Sequence, residues 1–423
     1  MLSVKKSSIF IAGLFIFFNS YSQSQPDTIN EKNVQDILTY LASDKLRGRV
    51  NYSKEQWDAA DFIAKKFEAY GLLPFPGFQN YFQPFAPRTK EVLFKNNLRW
   101  NGRKMSHQSY LDFSSSLNTR KTGLANYRFI RTDSLTDSSL VQHWMDTTNV
   151  LIWIKRNSAA SDTLPSSSLI VPYASSRNEI LVVAAPDEPT SMQLVPNKSF
   201  SDAVLYNVVG ILPGRSKRSE AIIFSAHYDH IDSDPSGNSF GIFNGANDNA
   251  SGTTAVLELA RYFSKRNDNE RTIIFCLFAG EELGLLGSER FATLVSRENV
   301  KAVINIEMIG KTNATGKERF FVTGSGFSDL ERIITKNLEG EKVQSALRKS
   351  DPAHLFQRSD NYPFYQKGIV AHSIMCSDDN DPCYHQTCDT SEGIDFTNMT
   401  SIIKAIAKAC RTLICGEDTP KRF

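Results

Sequence analysis

From Leu205 onward, short apolar runs recur at near-regular intervals, and polar residues capable of chemistry stand directly behind several of them. The runs are 208–212, 221–226, 272–278, 302–306, 320–323 and 369–374. Stretches with helical apolar spacing alternate with them, at 253–263, 285–295, 329–337 and 399–414. A strand that is apolar along its whole length needs cover on both faces. The alternation therefore predicts an α/β fold: a three-layer α/β/α sandwich around a central mixed, mostly parallel sheet. In such sheets ligands gather outside the carboxyl ends of the strands, so the chemistry is expected just after the runs.

The remainder of the 423 residues is more than one core can use. Residues 31–73 carry two helical patterns, Val34/Ile37/Leu38/Leu41 and Phe62/Ile63/Phe67/Tyr70, separated by the turn at Gly48-Arg49. Residues 74–100 read as a loop leading into new strands. Between 96 and 203 the texture changes to short β-like runs (150–154, 169–173, 180–185) broken by Ser, Asn and Pro. We read 96–203 as a β-rich insertion without chemistry of its own, an independent binding module being the alternative. The catalytic domain is then 29–95 plus 204–415.

At the amino end, Lys5 and Lys6 precede an apolar run at 9–18 and the small residues Ser20 and Ser22. That is the pattern of a signal peptide, residues 1–22, and predicts export to a periplasmic or secreted location. The run is well short of the ~20 apolar residues needed to span a bilayer. Removing the leader leaves 46 basic against 46 acidic residues. A balanced chain offers no electrostatic case for nucleic acid or an anionic membrane as partner. Export permits disulfides, and Cys383 with Cys388, closely flanking His385, is the expected pair. Cys276, inside an apolar run, is expected to be a buried thiol.

Five segments carry candidate chemistry, and each is weak alone. His227-Tyr228-Asp229-His230 follows the run 221–226; His227 has the character of a metal ligand, with Asp229 orienting its other ring nitrogen. Asp248 lies in Asn-Asp-Asn-Ala-Ser-Gly-Thr just before a helical stretch, where such residues also serve as ordinary caps. Glu281 and Glu282 follow the run 272–278; one can bind metal while the other accepts a proton from water. Glu307 ends an apolar run, where a carboxylate costs several kcal/mol unless paired or bound to metal. His385 sits between the two cysteines. Together, two imidazoles and three carboxylates from five strand ends or loops make a mixed N/O set suited to zinc. Five ligands exceed one open zinc site and fit two sites sharing Asp248. His230, His354 and His372 are expected to be structural or surface groups.

With these motifs in order (HYDH, NDNASGT, AGEELGLLGS, YHQTCDT), the sequence resembles the co-catalytic two-zinc exopeptidases. That family includes bacterial leucyl and Streptomyces-type aminopeptidases and glutamate carboxypeptidase II. The resemblance implies that His227 and Glu307 bind one Zn2+, that Glu282 and His385 bind the other, and that Asp248 bridges them. It implies that Asp229 supports His227, that Glu281 is the general base, and that Tyr384 helps polarise the substrate carbonyl. The resemblance further implies cleavage of N-terminal peptide bonds of peptide or protein substrates by a metal-bound hydroxide. The chain departs from the usual pattern at Glu307, where aspartate is commoner. Family members often carry a protease-associated insertion where residues 96–203 stand. Three other readings share the scaffold: a single-zinc glutaminyl cyclase, a carboxypeptidase, and a non-catalytic ectodomain. The bridging aspartate segment speaks against the first and the intact base and ligand set against the last. Arg358, Asp360 and Asn361 supply candidates for holding either a carboxylate or an amine.

Overall fold

A computed structural model describes residues 28–78, 80–86, 91–94, 97–106, 109–114, 124–132, 150–155, 179–195, 198–201, 204–231, 241–346 and 353–423. The expected leader and the apolar run at 169–173 lie outside the described residues. Among the described residues one nine-stranded sheet dominates. Its strands are β1 (Leu73–Pro74), β2 (Phe82–Phe85), β3 (Leu205–Leu212), β4 (Lys217–His227), β5 (Arg271–Phe278), β6 (Val300–Glu307), β7 (Arg319–Val322), β8 (Gln344–Ser345) and β9 (Ala371–Met375). The order is β1-β3-β5-β4-β6-β9-β7-β8, with β2 also paired to β3. The four central strands β5, β4, β6 and β9 run parallel. Antiparallel strands flank them, β3 on β5 and β7 on β9.

Alternation along the strands sends side chains to two separate cores. Ile222, Phe224, Ala226, Ile273, Phe275, Leu277, Ala302, Ile304 and Ile306 face one of them. That core also takes in the apolar faces of the helices Glu31–Leu41, Lys54–Ala69, Gly252–Arg266 and Phe396–Ala409. Ile223, Ile274, Cys276, Phe278 and Val303 face the other, against Phe291 and Phe364 from the helices Leu286–Ala292 and Asn361–Gln366. Two covered faces make the three-layer α/β sandwich that the alternation of runs and helices implies. Helix starts follow from local chemistry: Asn30, Ser53 and Asp395 each accept a backbone N–H three residues on, satisfying a donor the helix leaves open.

Three details differ from the sequence-based expectation. Phe82–Phe85 is not loop but pairs with the start of β3, extending the main sheet. The helical stretch at 399–414 is two helices, Phe396–Ala409 and Arg411–Cys415. The break is invisible in the pattern because Ile406, Cys410, Leu413 and Ile414 all bury into one core across it. The pairing of Glu91–Phe94 with Lys198–Ser201 begins the inserted β-structure ahead of residue 96. Within it, Tyr110–Ser114, Glu179–Ala185, Val150–Lys155 and Arg128–Thr132 form a four-stranded sheet. Its core, around Trp100, Leu151, Trp153, Leu181 and Val183, is separate from the other two.

Candidate metal centre

The register of the parallel strands assembles the centre. Ser225 lies opposite Asn305, so two residues on, His227 and Glu307 leave the sheet at the same end. His227 is level with Phe278, and the turn bearing Glu281 and Glu282 follows directly. The loop ahead of the helix Gly252–Arg266 brings in Asp248, and the loop after β9 brings in His385. The Cys383–Cys388 disulfide closes around His385, with S–S 2.08 Å.

Two donor groups result, and they share one aspartate. His227 Nε2 stands 3.3 Å from Asp248 Oδ1 and 3.3 Å from Glu307 Oε1. His385 Nε2 stands 3.1 Å from Asp248 Oδ2 and 3.3 Å from Glu282 Oε1. Asp248 thus turns one oxygen to each group. All five residues belong to clusters whose potential ligand atoms lie within 4.8 Å of one another. Tetrahedral zinc with bonds of 2.0–2.1 Å separates its ligand atoms by about 3.3 Å, so these edges have the span an ion requires. A second observation agrees: Glu307 Oε1 and His385 Nε2 are buried and make no hydrogen bond. Buried polar atoms are normally satisfied, so aligned unpaired atoms in a carboxylate–imidazole set fit a cation.

Several of these candidate ligands are held from behind. Glu307 Oε2 accepts from Ser359 Oγ at 2.9 Å. Ser359 accepts from Asn305 Nδ2 at 2.8 Å, and Asn305 accepts from Ser225 Oγ at 2.9 Å. This buried chain fixes one Glu307 oxygen and leaves the other for the centre. Asp389 accepts the backbone N–H of Asn247 at 2.9 Å and of Asp248 at 3.0 Å. Asn249 clasps the next strand end, donating to Ile306 O at 3.0 Å and accepting from Gly252 N at 2.9 Å. Gly252 is obligatory there, because a Cβ would meet Ile306 O at 2.2 Å. Asp229 acts differently from expectation. The ring nitrogen His227 Nδ1 donates to the Asp229 backbone carbonyl at 3.1 Å, while the carboxylate is 3.7 Å away. That carboxylate instead accepts the backbone N–H of Glu281 and of Glu282 at 3.2 and 3.3 Å, and Asn51 Nδ2 at 2.7 Å. It therefore shapes the turn that presents both glutamates.

Beneath the centre, Arg49 is fully buried. It donates to the carbonyls of Tyr228, Leu41 and Asn244 at 2.7 Å each and of Gly245 at 3.0 Å. Burial lowers its pKa to about 10, against the support of Asp248 and Asp229, so it remains a cation at neutral pH. The Gly48-Arg49 turn thus ties the first helix to the loop after His227 and to the loop that carries Asp248.

The electrostatics without metal follow from crowding. Burial resists the charge of His385, but Asp248 and Glu282 hold it up to about 10. Burial likewise opposes protonation of His227, and Glu307 and Glu281 outweigh it. Glu282 is pulled down to about 2, its histidine partners overcoming burial and Asp248. Glu281 is pushed well above the usual carboxylate range, by burial and then by Glu282 and other nearby carboxylates that outweigh His227. Without metal the two glutamates of one turn are therefore driven apart, Glu282 held as an anion and Glu281 holding its proton more tightly.

A cleft opens over the centre. Its apolar wall is Met308, Leu355 and Met375, backed by Phe321. Arg358 lines the rim but is committed, donating to Asp379 at 2.8 Å and to the Tyr384 hydroxyl at 3.2 Å. Tyr384 stacks on His385, ring centroids 3.9 Å apart. Asn361 is taken up by Phe356 O and Ser373. Asp360 is buried, and burial raises its carboxyl to about 7. His372 is a structural residue bonded to Thr323 O and Ser328 Oγ. His230, by contrast, lies inside the carboxylate cluster. Asp389, Ser359, Asn51 and Arg49 were not singled out by the motifs as supports; Asp389 alone stood within one, directly after Cys388.

Residues 207–410 match the model of peptidase family M28. Aminopeptidase YwaD of Bacillus subtilis (strain 168) is 29% identical over 236 residues, 53% of this chain and 48% of its own length. Leupeptin-inactivating enzyme 1 of Streptomyces exfoliatus is 27% identical over 242 residues, 52% of this chain and 51% of its own. The chain spans about half the length of these curated relatives. Among solved structures, the zinc aminopeptidase BSAP from Bacillus subtilis shares the fold, with a TM-score of 0.62 at 20% identity over 92% of this chain and 97% of that one.

Proposed function

We propose that the chain, whose residues 207–410 match the model of peptidase family M28, is a zinc exopeptidase of that family, specifically a two-zinc aminopeptidase. The observation that carries the reading is the divided Asp248, one oxygen in each of two donor groups with 3.1–3.3 Å edges. His227 and Glu307 would hold one ion, Glu282 and His385 the other, and Asp248 both. Bound zinc supplies Lewis acidity toward the scissile carbonyl and acidifies water.

The chain's own groups do the rest. Glu281, within 4.0 Å of His227 Nε2, takes the proton of the attacking water and passes it to the leaving amine. Asp229 holds the turn on which Glu281 stands. Tyr384 accepts from Arg358, which leaves its own O–H free to point into the cleft and donate to the carbonyl oxygen. Carboxylates crowd the cleft, and Arg358 on its rim is already paired with Asp379. A free amino terminus suits that field better than a carboxylate, which favours an aminopeptidase over a carboxypeptidase. The methionine-rich wall suits an unbranched or γ-branched apolar side chain, because Met adapts its shape. Export rests on the leader pattern at residues 1–22.

The test is zinc-loaded turnover of leucyl-anilide, its N-acetylated form, and an N-terminal glutaminyl peptide. Cleavage of the free-amine anilide alone supports the proposal. Cyclisation of the glutaminyl peptide, or equal cleavage of the acetylated anilide, overturns it.

A further inference from the structure

His230 closes the HYDH run and is fully buried, its ring lying over Gly245, where a Cβ would meet ring carbons at 2.7 Å. Its Nδ1 is 2.9 Å from Glu282 Oε1 and 4.0 Å from Asp248 Oδ2. Position alone would allow a further ligand, since His230, Asp248, Glu282 and His385 form one cluster. The distances decide otherwise. The edges made by His385 to the same two oxygens are 3.3 and 3.1 Å, close to the ~3.3 Å of a tetrahedral zinc site. Those of His230 bracket that span without meeting it: 2.9 Å is a hydrogen-bond length, and 4.0 Å is too long.

An ionised carboxylate only accepts, so Nδ1 must carry the proton. Glu282 also has another place to go, since it shares a second donor cluster with His227 and Glu281, on the side of the other half-site. We propose that His230 is a positioning residue: by donating Nδ1–H to Glu282 Oε1 it commits Glu282 to the half-site of His385, and it is not itself a ligand. This rests on the reading of Asp248, Glu282 and His385 as ligands. Removing an outer hydrogen bond of this kind typically lowers metal affinity 10–100-fold.

The experiment compares His230→Asn, His230→Gln and His230→Ala in the full chain. Asn places an amide N–H where Nδ1 stands, whereas Gln places it where Nε2 stands. Zinc affinity and stoichiometry are read by chelator competition, with thermal unfolding of each metal-free variant as the check on folding. His230→Asn should retain both ions near wild-type affinity. His230→Gln and His230→Ala should each bind one ion about 10–100-fold more weakly and leave the other unchanged. The inference is overturned if His230→Gln matches His230→Asn, or if Asn loses the ion and alters the Co2+ absorption spectrum, as loss of a ligand would. A wild-type chain that takes up fewer than two ions would instead overturn the site reading itself, before any variant is compared.

Discussion

Replacing Ser359 by alanine should weaken one metal half-site and spare the other. Ser359 Oγ donates to Glu307 Oε2 at 2.9 Å in a buried setting, the hydrogen bond that holds that oxygen among the described residues. A hydrogen bond to a charged acceptor contributes about 1.5–3 kcal/mol, or roughly 10- to 150-fold in affinity. The fold should lose less, about 1 kcal/mol, because Asn305 Nδ2 keeps its bond to Ser373 Oγ at 3.0 Å. The two half-sites can be separated in a His385→Ala background, where only the group of His227, Asp248 and Glu307 stays complete. Zinc competition there should show the roughly 10- to 150-fold drop on adding Ser359→Ala. In a His227→Ala background the same change should have little effect. Unchanged affinity in the first background, or an equal drop in both, would refute the view that the Ser225–Asn305–Ser359 chain presents Glu307 to a metal.

Three further outcomes follow from the same geometry. Glu281→Gln should lower turnover by about 10²–10⁴ while zinc content is retained, measured as kcat beside metal analysis; retained turnover removes Glu281 from the base role. Arg49→Met strands four buried carbonyls, and at about 1 kcal/mol each net should cost about 4 kcal/mol in denaturant unfolding. A cost under 1 kcal/mol would mean that the Gly48-Arg49 turn does not anchor the metal loops. The metal-free protein should also respond to pH through His385, whose folded pKa of about 10 lies above the ~6.5 of the unfolded chain. Its contribution is complete below ~6.5 and is lost as pH rises toward about 10. Unfolding of the stripped protein should therefore shift to lower denaturant across that window in wild type and less in His385→Ala; equal shifts would contradict the assigned partners.

The parts of this centre legible in sequence are those that local pattern controls. His227, Glu282 and Glu307 follow apolar runs, and a parallel sheet places all such ends together, so the residues announce themselves by position. The Cys383–Cys388 pair lay within reach because only a short loop separates the two. The supports were hidden for the opposite reason. Ser359 meets Glu307 only because the segment before β9 folds back over β6, and Asn51 meets Asp229 across a separation of 178 residues. Nothing near Arg49 marks it as buried, because its partners are carbonyls, which any sequence supplies. At Asp229 the oxygen bonded to His227 Nδ1 is the backbone carbonyl and not the carboxylate, a distinction that spacing along the sequence cannot make. His230 reads as one more polar loop residue until Gly245 is seen to leave room for its ring.

The central claim is that Asp248 serves two metal sites at once. Zinc content of the purified, zinc-equilibrated protein, measured by mass spectrometry beside Asp248→Asn, tests it most directly. Two ions per chain are expected in wild type, with weakened binding of both in the variant. One ion per chain at saturation, or a variant that loses only one, would contradict it.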